Sequence, residues 1–140
     1  MPKFVTLSVG LSAIVFAVLI PVLELNSTHL TNPEWPSHAR LHEAWQLLTN
    51  AAISVLALGC VWTNRAPRIG ISLALMIGVS FLTAWALGSI YGGSMLHTDG
   101  TQMAVGGINV AVIVVIALTA LLLASLWKIK VFNLSQKQGI

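Results

Sequence analysis

Charge is what this chain has least of. Seven Lys or Arg and four Asp or Glu supply all of its formal charge, 8% of 140 residues, where a soluble chain carries about 25%. So few ionic groups cannot cover a globular surface. A soluble domain is excluded, and a bilayer is the solvent that suits the 56% apolar composition. Cysteine is nearly missing too. The single Cys60 excludes an intrachain disulfide and any multi-cysteine metal centre, and its apolar neighbours mark it as a buried spectator thiol. There is no basic patch either: the net charge of +3 comes from cations scattered at the ends of apolar runs, which excludes nucleic acid as a partner. No convincing internal repeat is present, and the length is that of one domain, 1–140.

What the chain does have is long uncharged runs. There are 20 residues between Lys3 and Glu24, 21 between Glu43 and Arg65, 30 between Arg68 and Asp99, and 28 between Asp99 and Lys128. A helix needs about 20 apolar residues to cross a core about 30 Å thick. The runs therefore predict four transmembrane helices, at about 4–23, 39–63, 69–91 and 103–127, and an all-α integral membrane four-helix bundle. The first run is too long for the apolar part of a signal peptide, and Pro21-Val22-Leu23-Glu24 is a poor cleavage site, so it is expected to be a retained helix.

Orientation follows from the cations. Lys3, Arg65, Arg68, Lys128, Lys130 and Lys137 fall on one side of a four-span layout, and only Arg40 on the other. Both termini are then cytoplasmic. Segments 24–38 and 92–102 face outward, into the periplasm if the host membrane is a bacterial inner membrane. The same layout puts Glu24, Glu34, Glu43 and Asp99, with His29, His38, His42 and His97, at the outer face. The cation rule does not demand this segregation, because acids contribute little to it. A polar site at that face is expected; the competing reading is that the outer loops merely hold the solvated residues.

The richest stretch is Asn26–Asn50. Asn32-Pro33 and Trp35-Pro36 shape a loop, since a residue before proline avoids the helical region, and Ser37 is expected to cap the next helix. His38 and His42 stand four apart, on one helical face, and Trp45, Gln46, Thr49, Asn50 and Ser54 continue close to it. Such a stripe is expected to turn into the bundle, with His38 and His42 facing His97 of the other hairpin. Gly106-Gly107 and Asn109 are expected to open the fourth helix.

Two chemistries suit these residues. His29, His38, His42 and His97 could bind a divalent transition metal, Zn, Cu or Fe, with Glu34 and Glu43 as further donors. Ala39-Arg40-Leu41 lies between His38 and His42, so the catalytic glutamate of a zinc-protease helix is missing. Alternatively His38, His42 and Glu43 perform metal-free acid–base catalysis, with Arg40 binding an anionic head group. Trp45, Gln46, Asn50 and Asn109 would contact a hydrophobic substrate arriving through the bilayer. The competing reading takes the histidines as solvating a helix start, Arg40 and Glu43 as partners three apart, and Gln46 and Asn50 as interhelical contacts. The function is then either a membrane enzyme or metal centre, or a non-catalytic accessory subunit, carrier or ligand-binding protein. Homo-oligomers suit either. Convergence of the four histidines within about 5 Å of one point favours the first; splaying favours the second.

The run H-L-T-N-P-E-W-P-S-H-A-R-L-H-E-A-W, His29 to Trp45, resembles a pattern in a family of small four-helix bacterial membrane proteins. The resemblance covers that run and the four-span layout. It implies the bundle and brings no activity. The His, Glu, Trp and Asn set also looks like that of emopamil-binding-type sterol isomerases, without a residue-by-residue match, so no role is carried over.

Overall fold

The computed structural model describes residues 1–97 and 99–137, with side chains described as far as residue 130. Four helical segments in it are long and apolar enough to cross a membrane. The first is α1 (Lys3–Ile14), a π-helical turn (Val15–Leu19) and α2 (Ile20–Glu24). The π turn has a local cause. Pro21 has no N–H, and its ring collides with the carbonyl four residues back, so the helix widens just before it. The second segment is α3 (Ser37–Trp62) and the third α4 (Pro67–Ala86), followed by the single turn α5 (Gly88–Tyr91). A two-stranded ribbon, β1 (Ala104–Val105) and β2 (Ile108–Asn109), precedes the last helix, α6 (Val110–Lys137).

The segments run up, down, up and down. One half of the core joins Val5 and Val9 of α1, Ala57 and Val61 of α3, Ile71, Ala74 and Leu75 of α4, and Leu122 and Ile129 of α6. The other half joins Phe16 of the π turn to Ile77 of α4 and Val115 and Leu118 of α6. The start of one helix thus lies beside the end of the next. The interior faces carry many small residues, including Ser8, Ser12, Ser54, Ala57, Gly70, Ala74 and Ser125, which let backbones approach closely where burial against lipid-like neighbours gives little drive. Ser8 and Ser125 hydroxyls donate to carbonyls four residues back, so they add no unmet donor to the core.

Local chemistry explains the breaks. Asn64 takes the left-handed conformation, φ 55°, at the end of α3, a position asparagine tolerates, and Pro67 then begins α4 at a site where its missing N–H is harmless. The expected cap at Ser37 is not observed: Pro36 occupies the cap position, without a side-chain bond, and Ser37 is the first helical residue. The expected helix from 103 is also corrected. Gly106 and Gly107 both have positive φ, 59° and 81°, the pair a two-residue hairpin turn requires. They close a ribbon pairing Val105 with Ile108 and Ala104 with Asn109, and α6 starts only after it.

Gly70 is the tightest point between α3 and α4. A Cβ there would lie 2.5 Å from the Ala57 carbonyl oxygen and 2.8 Å from Val61 Cγ2. Gly70→Ala is expected to destabilise the bundle by about 1–3 kcal/mol, lowering its melting temperature in detergent. Gly59→Ala, where a Cβ would meet nothing within 4 Å, is expected to leave it unchanged or slightly raised.

Candidate functional site

The four histidines form two separate pairs. His29 packs edge-on against His97, ring centroids 4.8 Å apart. His38 and His42 meet each other, Nε2 to Nε2 at 3.0 Å. Among the described residues, no three His, Cys, Asp or Glu side chains are placed to hold one ion. The expectation that His38 and His42 turn inward towards His97 is overturned. Both are exposed, as are Trp45, Gln46 and Thr49 on the same side of α3, Trp45 at 64%. The reason is competition between the two faces of α3. Leu47, Ser54, Ala57 and Val61 form the face that packs, because small and shape-matched side chains fit a helix interface better than rings do. His38, His42, Trp45, Gln46 and Thr49 are left outside, Asn50 is half-buried, and Ser54, expected to continue the stripe, joins the packed face.

Glu24, absent from the expected site, is at its centre. Its Oε2 lies 3.3 Å from His29 Nε2, with the two side chains only 25% and 23% exposed. Glu43, half-buried one turn and more into α3, lies within electrostatic reach of Glu24. The group therefore draws on the end of α2, the 25–36 segment, α3 and the 92–103 segment. Trp35 stands edge-on to His29, ring centroids 6.2 Å apart.

The hydrogen bonds fix where the His29 proton sits. The Thr28 backbone N–H can only donate, so the Asn26 atom it meets at 2.7 Å is the amide oxygen; the Asn26 amide nitrogen donates to the Leu23 carbonyl instead. The Thr28 hydroxyl lies 2.7 Å from the same oxygen and donates to it. That hydroxyl has spent its proton, so at its 2.9 Å contact with His29 Nδ1 it must accept. His29 Nδ1 therefore carries hydrogen, and Nε2 faces Glu24 with its lone pair when the ring is neutral. A proton on Glu24 Oε2 would point at that bare Nε2, and a charged ring would point Nε2–H at the carboxylate.

His97 is placed by its own turn. The Thr101 carbonyl accepts from the His97 N–H at 2.8 Å, and the His97 carbonyl accepts from the Gly100 N–H at 2.9 Å. Asp99 Oδ1 accepts from the Thr101 hydroxyl at 2.7 Å and from its N–H at 2.9 Å. These bonds, the hydroxyl foremost, hold the Asp99 carboxyl below its ordinary range. Asp99 thus braces the turn that presents His97.

The remaining expected residues divide. Asn109, expected to contact substrate, caps α6 by accepting from the Ala111 N–H at 2.9 Å. Arg40 and Asn50 are half-buried on α3, and Glu34 is exposed, its N–H bonded to Asn32 Oδ1 at 2.9 Å. The signal for Glu24 was present: it ends the first apolar run, five residues before His29. No family model, no curated protein and no solved structure matches the chain.

Burial first, and neighbouring His97 second, hold His29 below its ordinary value of 6.5. A base with a depressed folded pKa takes up its proton more readily in the unfolded chain. Its contribution to stability is therefore complete above the ordinary value and is lost as pH falls through it towards the folded value. Wild-type melting temperature in detergent is expected to fall across that window, and His29→Gln to flatten the fall. An equally steep acid limb in that variant contradicts the assignment.

Proposed function

We propose that this is a multi-pass membrane protein with both termini cytoplasmic, and that its outer face carries an acid–base site built on Glu24 and His29 and completed by His97 and Glu43. Its ligand is a hydrophobic molecule arriving from the bilayer. The single observation behind this reading is the half-buried Glu24–His29 contact, with His29 turned to present Nε2. A carboxyl and an imidazole in that relation can take a proton from a ligand or return one to it without waiting for bulk water. Partial burial of both side chains limits competing solvent, and His97 supplies a second imidazole beside the first.

A second reading is favoured by the exposure of His38 and His42 and by the small-residue packing of the bundle: a non-catalytic subunit or carrier, in which the same proton site responds to a bound molecule without transforming it. Membrane insertion is supported by four sufficiently long apolar helices, and orientation by the cations near the ends of α1, α3, α4 and α6. The likeness of the His29–Trp45 run to small bacterial four-helix membrane proteins agrees with an inner-membrane setting.

Two experiments test this. Fluorescence of wild type minus Trp35→Phe, in vesicles, isolates Trp35. It is expected to be quenched as His29 gains its proton. His29→Gln should abolish the transition. A transition that survives His29→Gln contradicts the site. For orientation, cysteines introduced at Ser27 or Ser94 in a Cys60→Ala background should react with an impermeant maleimide from outside intact cells, and one at Asn64 should not. The reverse pattern overturns the orientation.

A further inference from the structure

His38 and His42 take no part in the Glu24–His29 group, yet their geometry is specific. They are four apart at the start of α3, both exposed, with ring planes at 82° and centroids 4.4 Å apart. Their Nε2 atoms approach to 3.0 Å. Two neutral imidazoles at that distance share one N–H···N hydrogen bond. The distance is also the one two ligands adopt around a single ion. A metal about 2.0–2.1 Å from each nitrogen would see the pair at an angle of roughly 90–97°. That is the neighbouring-ligand angle of a square-planar or octahedral ion. A tetrahedral ion wants a wider one.

We propose that His38 and His42 form a two-imidazole site for a divalent metal ion, with copper(II) as the best fit. Square-planar and tetragonal nitrogen sites suit Cu(II) and Ni(II), and copper binds most tightly of the divalent first-row series. Both nitrogens offer lone pairs once the ring that donates the hydrogen bond moves its proton from Nε2 to Nδ1, where exposure lets water accept it. Binding then releases no net proton from the pair. Water completes the coordination, since both rings are open to solvent. Four residues of helix fix the pair, so little ordering is needed when the ion arrives.

This site is independent of the proposed acid–base group, and its test separates them. Untagged protein in detergent is titrated with Cu(II) alone, following visible absorption and electron paramagnetic resonance. One ion per chain is expected, with hyperfine structure from two equivalent nitrogens. His38→Ala and His42→Ala should each weaken binding by at least the roughly tenfold that even an outer-shell partner costs. His29→Ala and His97→Ala should leave it unchanged, and zinc should compete poorly. Wild-type affinity in both His38→Ala and His42→Ala, or loss of binding in His29→Ala or His97→Ala, overturns the proposal. Circular dichroism of each variant confirms that α3 has folded, so that weakened binding reports the ligands.

Discussion

Glu24 ends the first long helix with a carboxyl that is three-quarters withdrawn from water, and the arrangement of that end of the molecule follows from the need to satisfy it. A buried carboxyl without a partner is costly whether charged or neutral. The chain answers with His29, five residues later, and the turn between them is bonded so that the imidazole must present Nε2. The Leu30 N–H also returns to the Glu24 carbonyl at 3.1 Å. Three hydrogen-bonding side chains, Asn26, Thr28 and His29, are thereby spent on one orientation. His97 then closes over the ring from the other hairpin, held by the Asp99–Thr101 turn. A local electrostatic problem at a helix end becomes a contact between the two halves of the chain.

The bundle itself was largely legible because length and the absence of charge decide it. Predicted bounds of 4–23 and 39–63 stand beside observed helical segments of 3–24 and 37–62. The third segment, expected to 91, breaks at Leu87, between α4 and α5, where Gly88 lies against the Gly93 carbonyl and Gly92 turns left-handed at φ 73°. The fourth began seven residues late. Met103, Val105 and Ile108 extend the apolar run, and hydropathy alone cannot separate a helical start from a short exposed ribbon. Gly106-Gly107 could have done so, since adjacent glycines supply the two positive φ values of a tight hairpin.

The site was less legible. Spacing correctly put His38, His42, Trp45 and Thr49 on one face of α3, but spacing does not say which face packs. In a soluble helix the polar face is the outer one. In a chain this apolar, polarity was expected to point inward, away from lipid. The outcome was decided by shape: Leu47, Ser54, Ala57 and Val61 nest against neighbours, and the ring-bearing face does not. The pairing of His29 with Glu24 and with His97 depends on loop conformation, and no periodicity encodes it. That the four histidines lie at the same end was legible; that they form two independent pairs was not.

The central claim is that His29 holds its hydrogen on Nδ1 and turns a bare Nε2 to Glu24. Nitrogen-15 NMR of histidine-labelled protein in micelles, with His29 assigned by its loss in His29→Gln, measures this directly at a pH where the ring is neutral. The account predicts a protonated Nδ1 and an unprotonated Nε2 whose shift responds to Glu24→Gln. A neutral His29 with its hydrogen on Nε2 would contradict it.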